Sequence, residues 1–353
     1  TTFMHIFRHG ISSIFSSFAL RTISLTAPFK IATSIMEKEY TETAHQFAEW
    51  ALSEGEKGLT KQFNDEIDWY TVDKTSEAYR LNPHKCRYSN IPCYDDNRII
   101  LNEGEDFIHA STITLKGDNQ FNMIAAQGPL SNTVDIFWQL IYQERVSVVV
   151  QLCNFREGFK SMRCAQYWPS DESEVYGRYT VTVKSNEAID DSHPSIQLRI
   201  FNVKKEGSND IHTLHHIFIS DWSDYGVPDT VDPVVTVVRW LEENIGMDKD
   251  HPILVHCLAG IGRTGTLIAL MMSLHALRNN DRPQCIPSEF FMNISKELRD
   301  QRIGSIQTPH QYIYSITSLL SILSQDGVFT MDDRSKKFRF LSNSHDRLNA
   351  PID

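Results

Sequence analysis

Residues 255–266 constrain the fold of this chain more than any other segment, because a glycine-rich loop there joins two recognisable elements. The apolar run 252–255 predicts a buried strand, and the pattern of residues 265–277 predicts a helix. The loop between them therefore brings backbone N–H groups and the positive end of a helix to one point. A phosphate dianion suits that point, so the segment predicts a phosphate-binding loop.

Cys257 and Arg263 supply the side chains that chemistry on a phosphate needs. The N–H groups and the helix end favour a thiolate over a thiol, so we expect Cys257 to act as a nucleophile near neutral pH. Arg263 can donate two N–H groups to two phosphate oxygens. A buried structural cysteine can have the same spacing by chance, but Gly260 and Gly262 permit the tight backbone path that a phosphate loop requires.

This loop, HCLAGIGRTG at residues 256–265, resembles the HCSAGIGRTG signature of the tyrosine-specific protein phosphatases. Other stretches resemble further elements of that family, in the same order and spacing, from about residue 40 to residue 325. They are KCRY at 85–88, DFIHA at 106–110, QGP at 127–129, FW at 137–138, RCAQYWP at 163–169, WSD at 222–224 and QTPHQY at 307–312. By this resemblance, the chain is identified as a member of the family.

The resemblance implies a catalytic set. Cys257 would attack phosphorus, and Arg263 would hold the phosphate oxygens together with the loop backbone. Asp224 would protonate the tyrosine oxygen and later act as a base for water. Gln307 would position that water, and Thr264 can donate a hydrogen bond to the Cys257 sulfur. The family uses no metal and no cofactor for this reaction, and we expect neither here.

A second group of residues would recognise the substrate. Tyr88 would stack on the phosphotyrosine ring and set a depth that phosphoserine cannot span. Asn90 would hold the substrate backbone, and Gln311 would act beside the attacking water. The full set expected to bind substrate is Tyr88, Asn90, Leu258, Ala259, Gly260, Ile261, Gly262 and Gln311.

Three positions depart from the family pattern. Leu258 stands where the family has Ser, Ser223 where it has Pro, and Cys86 where it has Asn. We expect Ser223 to give a freer acid loop that spends less time closed. These departures motivate one alternative, a phosphotyrosine-binding pseudophosphatase with little turnover. A dual-specificity phosphatase or an arsenate reductase is the other alternative, and the loops at Tyr88 and Gln307 argue against it.

Four neighbouring residues carry secondary expectations. Asp221 competes with Asp224 as the acid, and Glu157 is a candidate carboxylate partner for Arg263. Arg163 keeps the positive charge of the Lys that the family has there. His256 precedes the nucleophile on a buried strand, so we expect it to adjust the loop through backbone contacts and not to act as an acid.

The periodicity of the rest of the chain indicates an α/β fold. Strand-like runs occur at 146–152, 179–184, 196–203, 215–220 and 253–256, and helix-like runs at 133–144, 232–244, 288–299 and 309–323. Asp232, Ser288 and Thr308 are candidate helix caps. The resemblance implies one catalytic domain at residues 37–325, built on a highly twisted mixed β-sheet flanked by helices. We expect a poorly ordered or targeting-like extension at 1–36 and a polar tail at 326–353.

Composition excludes several classes of protein. The net charge of −11 gives no indication of nucleic-acid binding, and no apolar stretch is long enough to span a membrane. The 6 cysteines form no CxxC pair, which is typical of a reducing compartment and favours a cytoplasmic location. The histidines show no metal-ligand spacing. The expected partners are therefore phosphotyrosine-containing proteins, and the sequence specifies no oligomeric state.

Overall fold

A computed structural model describes residues 27–155, 164–246, 250–279 and 285–330. The helices in these ranges are α1 (Ala27–Gln62), α2 (Glu77–Leu81), α3 (Val134–Gln143), α4 (Asp232–Asn244), α5 (Gly262–Arg278), α6 (Pro287–Gln301) and α7 (Pro309–Gln325). The strands are β1 (Arg98–Ile100), β2 (Phe107–Leu115), β3 (Asp118–Gln127), β4 (Val148–Gln151), β5 (Ser173–Tyr176), β6 (Tyr179–Ala188), β7 (Ile196–Lys205), β8 (Ile211–Ile219) and β9 (Ile253–Cys257).

The strands form one mixed sheet in the order β1-β2-β3-β9-β4-β8-β7-β6-β5. β9 pairs in parallel with β3 and β4, and β4 pairs in parallel with β8, while the outer pairs are antiparallel. The predicted α/β class with a mixed sheet flanked by helices is confirmed. Because the parallel strands end at one edge, the segments that follow β3, β8 and β9 meet there.

Alternation along the central strand divides the core between the two faces of the sheet. Ile253, Val255 and Cys257 lie in an apolar cluster with α1 and α4–α7, whereas Leu254 lies in a second cluster with α3. All 5 residues of β9 are buried. A strand buried on both faces reads as a continuous apolar run, as the sequence predicted for this strand.

The starts of α3, α4, α6 and α7 lie within one residue of the predicted positions, but not every predicted capping residue is confirmed. Thr308 caps α7, since its hydroxyl accepts a hydrogen bond from the Gln311 N–H at 3.2 Å. The expected caps Asp232 and Ser288 are wrong, because both lie inside their helices and the cap positions are Val231 and Ile286. In α6, Pro287 has the fixed φ that suits the first helical position, so the residue before it becomes the cap.

The predicted start of the domain at residue 37 falls inside α1, which begins at Ala27 and has a non-helical break at Gly55. Residues 1–26 of the predicted extension and 331–353 of the predicted tail lie outside the described residues, so both expectations remain predictions. None of the helices described is long and apolar enough to cross a membrane.

Candidate active site

Cys257 ends β9, and the loop that follows it directs its N–H groups inward. Every carbonyl from Cys257 to Ile261 has a partner on the outside of the loop. The Cys257 carbonyl accepts from His256 Nδ1 at 3.2 Å, and the Leu258 carbonyl accepts from the Gly128 N–H at 3.0 Å. The Ala259 and Gly260 carbonyls accept from Arg302 Nη2 and Nε, each at 3.1 Å. The Ile261 carbonyl accepts from the Ile306 N–H at 3.0 Å. In a planar trans peptide, the N–H points away from the carbonyl. The N–H groups of residues 258–262 therefore converge on the inner side, where an oxyanion would be held.

Cys257 lies at the centre of this ring of amides. Its side chain is 3% exposed, and its sulfur accepts the Gly260 N–H at 3.3 Å. Gly260 has φ +71, and a Cβ there would lie 2.1 Å from the Ala126 carbonyl oxygen. Only glycine fits that position, so the tight path expected at Gly260 is confirmed. A backbone amide thus contacts the sulfur, and α5 begins five residues after Cys257.

Arg302 is a residue that sequence reasoning missed. It is 1% exposed, and it holds the loop carbonyls of Ala259 and Gly260 while Nη2 also donates to His109 Nδ1 at 2.9 Å. His109 Nε2 in turn donates to the Ile91 carbonyl at 2.9 Å. Burial, together with the charge of Arg302, lowers the pKa of His109 to about 3, so the imidazole is neutral. Arg302 follows the end of α6, and no local pattern indicates its role.

Arg263 does not line the cleft, but it connects the loop to the acid segment. Its side chain is 1% exposed; Nη1 donates to the Trp222 carbonyl at 2.9 Å and Nη2 to Asp224 Oδ1 at 3.1 Å. Trp222 is buried and donates its indole N–H to the Gly226 carbonyl at 2.9 Å. Asp224 lines the same cleft as Cys257, whereas Asp221 is exposed and does not line it. The geometry thus favours Asp224 over Asp221 as the proton donor.

One wall of the cleft comes from the segment after α2. Tyr88, Asn90 and Ile91 line it, and the Tyr88 carbonyl accepts the Tyr79 hydroxyl at 2.9 Å. Arg87 Nη2 donates to the carbonyls of Gly128 and Pro129 at 2.8 and 3.0 Å, which ties this segment to the sheet edge. These hydrogen bonds fix the backbone on both sides of Tyr88, and Tyr88 itself lines the cleft.

The opposite wall contains Gln307 but not Gln311. Gln307 lines the cleft, and its backbone N–H donates to Gln311 Oε1 at 2.8 Å. Gln311 is fully buried, so it positions Gln307 and has no surface in the cleft. A Cβ on Gly262 would lie 2.3 Å from Gln307 Oε1, and glycine at this position lets the carboxamide approach the loop.

The structure contradicts the contact expected of Thr264 and does not test the one expected of Glu157. Thr264 is fully buried, and its hydroxyl has no hydrogen-bond partner among the described residues, so the expected bond to the Cys257 sulfur is not formed. Thr264 lies in the first turn of α5. Glu157 and Arg163 lie outside the described residues, and the expected pairing of Glu157 with Arg263 stays a prediction.

A buried polar chain lies behind the loop. His256 Nδ1 donates to the Cys257 carbonyl, so His256 Nε2 accepts from the Tyr167 hydroxyl at 2.8 Å. The Tyr167 oxygen then accepts from His216 Nε2 at 2.8 Å. Burial lowers the pKa of His216 well below its ordinary value, so the His216 ring is neutral. His256 therefore contacts the loop backbone, as expected from its place on the strand.

Cys153, Cys164 and His256 form a cluster that the sequence did not indicate, because its members come from three separate segments. Their ligand atoms lie within 4.8 Å of one another, and all three residues are buried. Burial raises the pKa of the Cys153 thiol well above its ordinary value. A metal would have to displace the Cys153 proton, so we interpret the cluster as packing and keep the expectation of no metal as a prediction.

The structure brings 8 of the predicted site residues to the lining of one cleft, namely Tyr88, Asn90, Asp224, Cys257, Leu258, Ala259, Ile261 and Gln307. Ile91 and Tyr225 also line it and were not predicted. Such a cleft holds a sulfur nucleophile, an anion-binding ring of amides and a carboxylic acid within one site. This arrangement can transfer a phosphoryl group to sulfur and protonate the group that leaves.

Comparison with known proteins gives the same result along most of the chain. The family model for protein-tyrosine phosphatase matches residues 82–321. The chain is 34% identical over 262 residues to tyrosine-protein phosphatase non-receptor type 4 of Mus musculus, covering 72% of this chain and 27% of that protein. It is 34% identical over 290 residues to receptor-type tyrosine-protein phosphatase zeta of Homo sapiens, covering 75% of this chain and 12% of that protein. It is 30% identical over 275 residues to tyrosine-protein phosphatase non-receptor type 20 of Rattus norvegicus, covering 76% of this chain and 61% of that protein. The chain thus spans about a quarter or less of the first two relatives.

Proposed function

The chain belongs to the protein-tyrosine phosphatase family, and from this membership we propose that it hydrolyses phosphotyrosine in proteins through a cysteinyl-phosphate intermediate on Cys257. The observation that carries the proposal is the meeting of three groups in one cleft. Cys257 and Asp224 both line it, and Arg263 lies 3.1 Å from Asp224.

In the first step, the Cys257 thiolate attacks phosphorus in line with the tyrosine oxygen. The sulfur–phosphorus bond forms as the phosphorus–oxygen bond breaks, and Asp224 gives its proton to the departing phenolate. The amides of residues 258–262 and the guanidinium of Arg263 stabilise the equatorial oxygens, whose charge is largest in the transition state. Arg263 suits this task because its planar fork can contact two oxygens at once.

In the second step, water attacks the phosphorus of the cysteinyl phosphate. Asp224, now a carboxylate, takes the proton of the water, and Gln307 orients that water from the opposite wall of the cleft. The sulfur–phosphorus bond then breaks, which releases phosphate and restores the thiolate. Tyr88 stands at the side of the cleft where the phenyl ring of the substrate would stack.

We further propose a cytoplasmic role in signal transduction. All six cysteines are free, and 34 residues of the chain are Lys or Arg against 45 that are Asp or Glu. Free thiols, and a reaction that uses one of them as a thiolate, suit a reducing compartment. Phosphotyrosine-containing proteins are the partners that this reaction requires.

The alternative is a pseudophosphatase that binds phosphotyrosine with little turnover. Ser223 favours it, since a residue without the fixed φ of proline leaves the acid segment with more conformations to lose on closing. The reacting groups Cys257, Arg263 and Asp224 are all present, and they support the enzyme over the alternative.

Rapid acid quenching tests the proposal. The protein is mixed with a phosphotyrosine peptide, quenched within milliseconds, digested and analysed by mass spectrometry. We expect one added phosphoryl group on the peptide that contains Cys257, and none in Cys257→Ser. Phosphotyrosine hydrolysis without a phosphorylated Cys257 would overturn the mechanism, and tight binding without hydrolysis would favour the pseudophosphatase.

A further inference from the structure

Gln151 ends β4, the strand beside β9, and its carboxamide is fully buried. Both ends of the carboxamide have partners whose roles are fixed. Nε2 donates to the Cys153 carbonyl at 2.8 Å, and Oε1 accepts the indole N–H of Trp168 at 3.2 Å. A carbonyl can only accept and an indole N–H can only donate, so a single orientation of the carboxamide satisfies both contacts. The structure therefore fixes the position of Gln151 Oε1.

This oxygen selects the tautomer of His216. Nε2 of His216 lies 3.2 Å from Gln151 Oε1 and 2.8 Å from the Tyr167 hydroxyl oxygen. The His216 ring is neutral because burial lowers its pKa, so it carries one proton, on Nδ1 or on Nε2. A proton on Nδ1 would have no partner among the described residues, and it would leave the lone pair of Nε2 facing that of Oε1. The form with the proton on Nε2 is therefore favoured.

The tautomer of His216 determines where the next protons lie. Because the His216 Nε2–H faces the Tyr167 oxygen, the hydroxyl proton of Tyr167 is left for His256 Nε2, which lies 2.8 Å away. That nitrogen then accepts, so His256 carries its proton on Nδ1, 3.2 Å from the Cys257 carbonyl. In the reverse order, an unprotonated Nδ1 would face a carbonyl oxygen, and this hydrogen bond to the loop would be lost.

The hydrogen bond on the Cys257 carbonyl affects the inner side of the loop. This carbonyl shares a peptide unit with the Leu258 N–H, the first donor in the ring of amides. A hydrogen bond to the carbonyl polarises the peptide unit, so its N–H becomes a stronger donor. A stronger N–H stabilises negative charge inside the ring, whether the charge is on the sulfur or on a phosphate. Gln151 does not line the cleft, and it reaches the site only along this chain.

We propose that Gln151 is a positioning residue for catalysis, which orders the protons of the chain so that the His256 Nδ1–H binds the Cys257 carbonyl. The expected effect on turnover rests on the proposed function, whereas the order of the protons does not. Gln151 belongs to the strand-like run 146–152 and to none of the stretches that resemble the motifs of the family. The contacts of the folded chain alone indicate its role.

Long-range nitrogen–proton NMR spectra of histidine-labelled protein test the order of the protons without an assay of activity, because protonated and unprotonated ring nitrogens have separate shifts. With His216→Gln and His256→Gln to assign the signals, we expect a proton on Nε2 of His216 and on Nδ1 of His256. In Gln151→Met, the Nδ1–H form of His256 should lose population. Wild-type protein with the His256 proton on Nε2 would overturn the inference, and this measurement needs no variant at Gln151 that folds.

The reactivity of Cys257 provides a second readout. Gln151→Met keeps an unbranched side chain of similar length but removes the acceptor. The pH profile of Cys257 modification by iodoacetate should move to higher pH, and kcat/KM for a phosphotyrosine peptide should fall about two- to tenfold, the effect of about one hydrogen bond. Gln139→Met is the matched control, since Gln139 is also buried but donates to the Glu103 carbonyl outside the chain. It should keep the wild-type profile and kcat/KM.

Tyr167→Phe interrupts the chain between Gln151 and the loop. In that background, Gln151→Met should add no further shift in the profile of Cys257, because a residue that acts along the chain has no effect once the chain is broken. A full additional shift, or an unshifted profile in Gln151→Met alone, would overturn the inference. Wild-type protein that hydrolyses no phosphopeptide would contradict the proposed function instead, and the NMR spectra and the Cys257 profile would still decide the inference.

Discussion

Asp224 Oδ1 lies 3.1 Å from Arg263 Nη2, so the residues that we propose as the acid and as the anion-binding group form an ion pair. The side chain of Arg263 is 1% exposed, while that of Asp224 is 27% exposed. Arg263 also holds the Trp222 carbonyl, and through these two contacts the acid segment is held over the cleft. In the proposed mechanism, a phosphate that enters takes over the Nη2 donor, which leaves the Asp224 carboxyl group free to bind a proton and give it to the leaving oxygen.

Replacement of the acid gives the first prediction. Asp224→Ala should lower kcat for a phosphotyrosine peptide by about 10²- to 10⁴-fold, the usual contribution of general acid catalysis. The loss should shrink with an aryl phosphate whose leaving group hardly needs a proton. Asp221→Ala is the matched control and should keep nearly full activity. If Asp221→Ala lost activity in this way and Asp224→Ala did not, the acid would be Asp221.

Chemical labelling gives the second prediction. Iodoacetate at about pH 6 should modify Cys257 ahead of the other cysteines, and phosphate or vanadate should protect it, because thiolates and not thiols react. Burial raises the pKa of Cys86 to about 12 and also raises the pKa values of Cys93 and Cys153, so these three remain thiols. Peptide mapping measures the sites. Equal modification of all six cysteines would contradict the assignment of a reactive thiolate.

The acid segment gives the third prediction. Ser223→Pro should raise kcat with little change in the affinity for phosphate, because proline removes conformations that an open segment can adopt. The change is compatible with the structure, since among the described residues no hydrogen bond uses the Ser223 N–H, and the Ser223 carbonyl still accepts the Gly226 N–H at 3.3 Å. Steady-state kinetics and phosphate inhibition provide the measurement. A lower kcat in Ser223→Pro would show that the segment needs its freedom.

Acidification gives the fourth prediction. The pKa of His109 is about 3 in the fold against an ordinary 6.5, so the fold favours the neutral ring and its contribution is complete above the ordinary value. As pH falls below 6.5, the unfolded chain binds a proton that the folded chain refuses, and the free energy of unfolding decreases. At about pH 5 the loss from His109 should be about 2 kcal/mol.

Urea unfolding at about pH 8 and about pH 5 measures this loss. His109→Gln should be less stable at high pH, because a flexible carboxamide does not reproduce the ring that bridges Arg302 and the Ile91 carbonyl, but its stability should depend less on pH. His310→Gln, which removes an exposed histidine, should keep the wild-type pH dependence. An unchanged pH dependence in His109→Gln would show that other groups cause the loss.

The sequence predicted the parts of the site that are local in the chain. The strand at β9, the helix after it and the spacing of Cys257 and Arg263 follow from periodicity and motif, and α4 begins and ends at the predicted residues. Arg302 could not be predicted, because it reaches the carbonyls of Ala259 and Gly260 across 42 or 43 positions of the chain. Only the folded chain brings that donor to the loop.

The strand order and the contacts of buried side chains depend on the packing of the folded chain, which local sequence patterns do not predict. β9 lies between β3 and β4 in the sheet. Hydrophobic periodicity locates strands along the chain but does not indicate which strands are neighbours. Thr264 has the right chemistry to contact Cys257, but its hydroxyl has no hydrogen-bond partner among the described residues.

Steady-state hydrolysis of one peptide in its phosphotyrosine, phosphoserine and phosphothreonine forms tests the central claim most directly. We predict turnover of the phosphotyrosine form that disappears in Cys257→Ser, and much slower turnover of the other two, because the shorter side chains do not bring phosphorus to the sulfur past Tyr88. Wild-type protein that hydrolyses none of the three faster than Cys257→Ser would contradict the account, and the cleft would then be a phosphotyrosine-binding site without catalysis.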